Sequence, residues 1–430
     1  MKPMLLTPSA RRFLFLQGPP GPFFRELGAA LQERGSSVFR INLSGGDERD
    51  WSDPDSERVL AYRGLMRDWP LFFDSFVQAK GITDVVLFGD CRPVHMRATR
   101  LARLRGIHIH VFEEGYIRPD WMTLERDGVN GHSSFERCPQ AILDAAEQLP
   151  DIPDLPPITA SFGRRARDSY WHYHSVVVGG LTMRFPFYRS HRGGSIIAEG
   201  IGWMRRFALR RRRDRQATKV LEALAGQKYF LFPLQLSGDY QIRAHSPFLS
   251  MAMAVNYVLT SFAQYAPKDC VLLIKEHPLD VGIRDWRRTI RHRSRKLGLD
   301  GRVFHIDGGD LQALSEQSQG MVCVNSTSGT LALSAGIPVI VMGDAVYDVP
   351  GITHQGSLDK FWNRPELPDQ SLYYAFRKVL HDRCLVRGGL ASESATRTLV
   401  ENSVDRLLVP VEAPDGPSIR RRSRMVLAPA

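Results

Sequence analysis

Nowhere do the 430 residues stay apolar for the roughly 20 positions that a bilayer-spanning helix requires. The longest apolar runs, 270–274 and 337–342, are strand-sized, which excludes a helical integral membrane protein. No cleavable leader is expected: Arg11 and Arg12 precede the short run 13–16, no small-residue cleavage site follows, and the segment reads as a first strand. Cysteine is sparse. Cys91, Cys138, Cys270, Cys323 and Cys384 form an odd set with no CxxC spacing, which argues against a disulfide framework or zinc site and fits a reducing cytoplasm. Neither GxGxxG nor a Walker-type lysine is present, so NAD and ATP chemistry lack support. No Asp-x-Asp-type metal pair stands at a strand end, and the expectation is that no metal or other cofactor is needed. No solenoid-like repeat occurs.

Positive charge is present, and it is concentrated. Residues 205–215 hold seven arginines and one aspartate, and 420–424 hold four arginines, which together account for +10 of the +11 net charge. In the first of these segments Ile197, Ile201, Met204 and Ala208 fall on one helical stripe, with Ile196, Trp203 and Phe207 beside it. Arg205, Arg206 and the 210–213 run supply a cationic face, the pattern of a helix lying on an anionic membrane surface. A solvated helix between domains is the plainer account. Nucleic acid is not expected, because no zinc spacing, RNP pattern or basic zipper accompanies the arginines.

Short Val/Ile/Leu/Phe runs at 13–17, 38–42, 85–88 and 107–112 alternate with helix-like stretches at 22–34 and 93–105, which is βαβ order and predicts a parallel sheet. The rhythm returns at 229–232, 271–275, 302–306, 321–324 and 338–342, with a helix over 247–265. The expected class is therefore α/β with two Rossmann-like domains. Their boundaries are read as 1–150, a basic aromatic insertion at 151–220, a second domain at 221–365, C-terminal helices at 366–408 and a disordered Pro-, Ser- and Arg-rich tail at 409–430. Open parallel sheets bind ligands at the carboxyl ends of their strands, so two such domains in sequence predict a crevice lined by strand-end motifs.

Polar motifs do follow the strands. Glu113 and Glu114 end the 107–112 strand, and alternation lets one face the crevice while the other is held by backbone donors or Arg118; one of the pair is a candidate base or nucleophile. Lys275-Glu276-His277-Pro278 ends a buried strand, and the proline holds His277 extended, ready to hydrogen-bond a phosphate leaving group. Asn325-Ser326-Thr327-Ser328-Gly329 turns a strand into a helix and offers hydroxyls and N–H groups to phosphate, although ordinary helix capping accounts equally for the serines and threonine. Gln17-Gly18 opens a rigid Gly/Pro turn, Asp90 and Arg92 follow another strand, and Gln241 and Arg243 follow the 229–232 strand. For each of these a substrate contact and a polar turn remain open.

Taken together, Phe15-Leu16-Gln17-Gly18-Pro19, Phe88-Gly89-Asp90-Cys91-Arg92-Pro93, Phe112-Glu113-Glu114-Gly115-Tyr116 with Arg118-Pro119-Asp120-Trp121, Gly128-Val129-Asn130-Gly131, Lys275-Glu276-His277-Pro278 and Asn325-Ser326-Thr327-Ser328-Gly329 resemble the KpsS/LipB family of capsular polysaccharide biosynthesis proteins. The resemblance covers roughly residues 12 to 385. It implies a GT-B fold, two Rossmann-like domains facing a cleft. It also implies a retaining β-Kdo transferase that takes Kdo from CMP-β-Kdo and starts the capsule linker on a phosphatidylglycerol-type lipid at the inner face of the inner membrane, beside other capsule-assembly proteins. The motifs are also similar to those of bacterial sialyltransferases. By that resemblance Glu114, or Glu113, is the catalytic carboxylate, His277 contacts the CMP phosphate, and Lys275, Ser326, Thr327, Ser328 and Gly329 belong to the nucleotide site. A CDP-glycerol-type phosphotransferase and a noncatalytic assembly or export factor are the alternatives.

Overall fold

The computed structural model describes residues 10–53, 57–158, 163–190, 196–236, 240–280 and 284–409. In chain order the strands are β1 (Arg12–Phe15), β2 (Ser37–Asn42), β3 (Val59–Ala61), β4 (Asp84–Phe88), β5 (His108–Glu114), β6 (Trp121–Arg126), β7 (Tyr229–Pro233), β8 (Val271–Lys275), β9 (Val303–Ile306), β10 (Gly320–Cys323), β11 (Val339–Val341) and β12 (Leu385–Arg387). They form a seven-stranded sheet ordered β12-β6-β5-β4-β1-β2-β3 and a five-stranded sheet ordered β11-β10-β7-β8-β9. The expected α/β class with two parallel-dominated sheets is what the chain adopts.

The first sheet is parallel from β5 through β3, but β6 runs antiparallel to β5, and β12 antiparallel to β6. The strands expected from the first third do pair in parallel, and the antiparallel edge comes from β6 and β12, which the apolar runs did not predict. The reason is local: the turn 115–120 is too short for a crossover helix, so the chain reverses into β6 as a hairpin partner. Alternation along β1 sends Phe13 and Phe15 to one apolar cluster and Leu14 and Leu16 to another. Both faces are thus buried, each large apolar side chain contributing about 1.5–3 kcal/mol.

The two compact units are not consecutive in sequence. Unit 1 gathers the described residues through Phe135, those of Ile152–His191, and those from Leu380 on. Unit 2 holds Glu136–Asp151 and the described residues from 196 to Val379. The expected 151–220 insertion therefore divides: its helix Gly163–Leu181 belongs to unit 1 and its helix Ile196–Ala223 to unit 2. The C-terminal helices divide as well, because β12 pairs with β6 and the helix Glu393–Leu408 packs on the helix Phe23–Glu33. The tail from 410 lies outside the described residues.

At the amino end of the unit 1 strands Asp84 is fully buried beneath Arg11 and His110. Its carboxylate accepts the Arg11 Nε–H at 3.1 Å and meets His110 Nε2 at 2.7 Å. Burial alone would push this carboxyl up, but His110 and Arg11 outweigh it and hold Asp84 well below the ordinary carboxylate range.

In unit 2 the predicted basic helix forms, spanning Ile196–Ala223. Its arginines do not share one face. Arg206 and Arg213, two turns apart, both pair with Asp307 just after β9, while Arg205, Arg211, Arg212 and Arg215 are exposed. Ile201 and Met204 are exposed as well, and the side chains of Ile196, Ile197, Phe207 and Arg210 lie outside the described residues. No described helix is long and apolar enough to cross a membrane.

Candidate active site

In unit 1 the chain leaves β1 toward β2 on one side and leaves β4 toward β5 on the other, so a topological switch point lies between β1 and β4. The residues that follow those two strands, Gln17-Gly18 and Gly89-Asp90-Cys91-Arg92, flank it, and β5 delivers Glu113 and Glu114 from the next position. Gly89 has φ +69°, and a Cβ there would stand 3.1 Å from Glu113 Oε2. Glycine is required both for the turn and for the carboxylate's approach. The Gly89 carbonyl faces His95 Nδ1 at 2.6 Å. Burial drives His95 down to about 3, so it remains neutral and clamps the turn.

The two carboxylates point into different surroundings. Glu113 receives the Glu114 N–H at 3.1 Å. Burial pushes its carboxyl up to about 7, with Glu114 and Asp90 adding repulsion that Arg92 only partly offsets. Glu114 is also withdrawn from water, but the Arg165 guanidinium grips both of its oxygens, and Arg165 with Arg118 holds it below the ordinary value. Gly115 closes the turn behind them, since a Cβ would lie 2.1 Å from the Trp121 carbonyl oxygen. Tyr116 donates to Glu125 at 2.6 Å and accepts the Asn130 N–H at 2.6 Å, pinning the 128–131 loop to the same turn.

The remaining unit 1 candidates are largely bracing groups. Asp90 accepts the Val129 N–H at 3.3 Å and meets His132 Nδ1 at 2.8 Å and Cys91 Sγ at 3.2 Å. That set of carboxylate, thiol and imidazole has the donor chemistry to hold a cation. Gln17 donates to Asp47 and to the Tyr188 hydroxyl, both at 3.1 Å. Arg92, Gln17, Tyr188 and Arg63 border a cavity of about 40 Å³. Burial lowers the Arg92 guanidinium and pushes the Tyr188 phenol up to about 12.

Unit 2 repeats the design with different chemistry. Its switch point lies between β7 and β10, where Gln235 follows one strand and Asn325 the other. The Gln235 amide bonds Asn325 twice, its Nε2 donating to Asn325 Oδ1 at 2.8 Å and its Oε1 accepting the Asn325 backbone N–H at 3.2 Å. Asn325 Nδ2 also donates to the carbonyls of Gln241 and His245. This hub aims the hydroxyl turn, in which Ser326 Oγ accepts the Ser328 N–H at 3.1 Å and Thr327 makes no capping bond. The following helix, Ser328–Ser334, is only seven residues long, so the hydroxyls and turn amides carry more of the donor character than the dipole expected from sequence. Gly329 serves packing, as a Cβ would strike the Tyr347 ring.

His277 stands after β8. Its Nδ1 accepts the Leu279 N–H at 3.0 Å, which places the imidazole proton on Nε2, a donor. Lys275 is buried among Asp307, Arg206 and Asp310, and burial lowers its ammonium. Arg243 is exposed on the helix Tyr240–Ala244. Unit 1 thus gathers Gln17, Gly18, Asp90, Arg92 and Glu113, and sets Glu114 with Arg118. Unit 2 gathers Gln241 and Ser326–Ser328 about Asn325. Arg165, Tyr188, His95 and Asn325 were not among the expected site residues. Arg165 lies 51 residues from Glu114 and carries no local signal, whereas Asn325 stood within a recognised motif.

Comparison with known proteins brings in the family. The model of the family described as capsule polysaccharide biosynthesis protein matches residues 83–390. The capsule polysaccharide export protein KpsS of Escherichia coli is 35% identical over 86% of this chain and 95% of its own length. The capsule polysaccharide modification protein LipB of Neisseria meningitidis serogroup B is 35% identical over 90% of this chain and 93% of its own. Among solved structures, Thermosulfurimonas dismutans KpsC, beta Kdo 2,7 transferase, aligns at 12% identity over 92% of this chain and 100% of that one, with a TM-score of 0.45.

Proposed function

The chain belongs to the capsule polysaccharide biosynthesis protein family, and on that footing we propose that it is a glycosyltransferase moving Kdo from CMP-β-Kdo to a phosphatidylglycerol-type lipid. The observation that carries the chemistry is Glu113, a carboxyl raised to about 7 at the carboxyl edge of the unit 1 sheet, beside a switch point. A group poised near working pH is ionised in part of the population and reactive when ionised.

In this reading Glu113 carboxylate attacks the anomeric carbon, the bond from that carbon to the phosphate oxygen breaks, and CMP departs with the electron pair. The acceptor hydroxyl then displaces the carboxylate and gives its proton to solvent, regenerating ionised Glu113. Glu114, neutralised by Arg165 and Arg118, fixes the strand end instead of reacting. Unit 2 binds the nucleotide: Ser326, Thr327, Ser328 and the turn amides face the phosphate, and His277 Nε2–H donates to the departing oxygen. No step calls for a metal. The work takes place at the cytoplasmic face of the inner membrane, with other capsule-assembly proteins as partners.

The direct test incubates the protein with phosphatidylglycerol and CMP-Kdo, generated in place because it is labile, and weighs the lipid by mass spectrometry. A Kdo-sized gain is expected. No gain with CMP-Kdo, or a gain carrying extra phosphorus when CDP-glycerol is supplied in its place, would contradict the proposal.

A further inference from the structure

The second basic helix of unit 2, Trp286–Lys296, forms no single arginine run in the sequence, its cations falling at Arg287-Arg288, Arg291, Arg293 and Arg295-Lys296. Between it and the helix Met251–Tyr265 lies a groove of about 420 Å³. Val255 forms part of the floor, Asn256, Thr289 and His292 line it, and Arg288 and Arg293 supply its charge. Among the described residues no carboxylate lines it. Arg293 Nε is buried without a hydrogen-bond partner among the described residues, so this guanidinium has donor capacity left over. Arg206 and Arg213 on the neighbouring basic helix differ, since both pair with Asp307 and Arg206 also lies 3.6 Å from Glu276 Oε1.

Two further features describe the occupant. Met253, 47% exposed, lies one turn before Asn256 on the same helix face, and Leu249, 72% exposed, precedes that helix. The groove therefore offers two guanidiniums, with the exposed side chain of Met253 one turn from its lining residue Asn256, a pairing suited to an amphiphile with an anionic head. In addition, Arg287 Nη1 donates to Gln216 Oε1 at 2.8 Å, tying this helix to Ile196–Ala223, whose Arg211, Arg212, Ile201 and Met204 are exposed.

We propose that the groove between the helices Met251–Tyr265 and Trp286–Lys296 binds the phosphodiester headgroup of an anionic lipid, giving unit 2 a membrane anchor separate from its nucleotide site. Arg288 and Arg293 grip the phosphate through charge-assisted hydrogen bonds, and Met253 and Leu249 enter the acyl boundary. The inference rests on the reading that the protein works at a membrane surface, and it adds the site that holds it there.

The experiment sediments the full chain with vesicles of phosphatidylcholine alone or mixed with phosphatidylglycerol, comparing wild type with the double variant Arg288→Ala, Arg293→Ala. Wild type should bind the anionic vesicles, and the variant should bind roughly thirtyfold more weakly at low salt. Unchanged thermal unfolding establishes that the variant is folded, and the double variant Arg211→Ala, Arg212→Ala reports what the neighbouring helix contributes. Wild-type binding that ignores phosphatidylglycerol, or equal binding by the Arg288/Arg293 variant, overturns the proposal. So does release of the protein by soluble glycerol phosphate at the lipid's own phosphate concentration, which would mark a free-phosphate site. Kdo transfer to detergent-dispersed lipid is measured separately, so loss of transfer with intact vesicle binding sinks the catalytic reading and leaves the anchor standing.

Discussion

The two ends of the unit 1 sheet each withdraw a carboxyl group from water, Asp84 fully and Glu113 partly, and treat it in opposite ways. At the amino edge Asp84 is saturated by Arg11 and His110 and held down as an anion. At the carboxyl edge Glu113 has one backbone donor and two acidic neighbours, and rises to about 7. Asp84 stands on β4 and Glu113 on the neighbouring β5, and the more deeply buried of the two is the one held down, so the difference comes from partners and not from depth alone. A fully partnered buried charge fixes the fold, and an under-partnered one stores reactivity.

The largest effect should come from breaking the amino edge. Asp84→Asn leaves Arg11 buried without its counter-charge and should cost about 3–5 kcal/mol in urea unfolding. A loss below about 1 kcal/mol would mean that the triad is not the clamp. Next comes the pH dependence of stability. Between about 4.5 and 7 the folded protein keeps a proton on Glu113 that the unfolded chain has lost, so this group makes stability fall as pH rises through that window and stay level above it. The full drop is at most about 3 kcal/mol, and Glu113→Gln should remove it. An identical slope in the variant would refute the raised carboxyl.

A smaller change is expected from Arg165→Ala. Glu114 is held down, so its pairing stabilises above the ordinary carboxylate range and fades as pH falls through the folded value. The variant, with a partly exposed arginine removed, should lose about 1 kcal/mol near pH 7 and progressively less as pH falls below the ordinary carboxylate range; a loss that does not shrink with falling pH would deny the electrostatic role. Least of all should follow chelation: EDTA is expected to leave transfer unchanged within about twofold. Abolished transfer would direct attention to Asp90, Cys91 and His132 as a metal site.

Much of this was legible because parallel strands buried on both faces announce themselves as apolar runs. Strands β1, β2, β4, β5 and β7 to β11 all lie at or within a residue or two of where such runs predict them. β3 and β12 are three residues each, below the length at which periodicity speaks, and β12 is recruited by β6 from some 260 residues away. The acidic pair, the His-Pro turn and the hydroxyl turn could be read from their positions at strand ends. What separates Glu113 from Glu114 could not, since Arg165 reaches Glu114 from a distant helix. The helix Trp286–Lys296 escaped a reading that looked for consecutive arginines, because helical folding gathers charges spaced along the chain.

The central claim is that Glu113 is the reacting carboxylate and Glu114 its held neighbour. It is tested most directly by transfer rates from about pH 5 to 9 for wild type, Glu113→Gln and Glu114→Gln, all shown to be folded. Wild-type rate should rise with an apparent pKa near 7, Glu113→Gln should fall by roughly a hundredfold or more at every pH, and Glu114→Gln should keep the same limb at a reduced rate. A Glu113→Gln enzyme that retains both rate and limb, while Glu114→Gln is dead, would contradict the account.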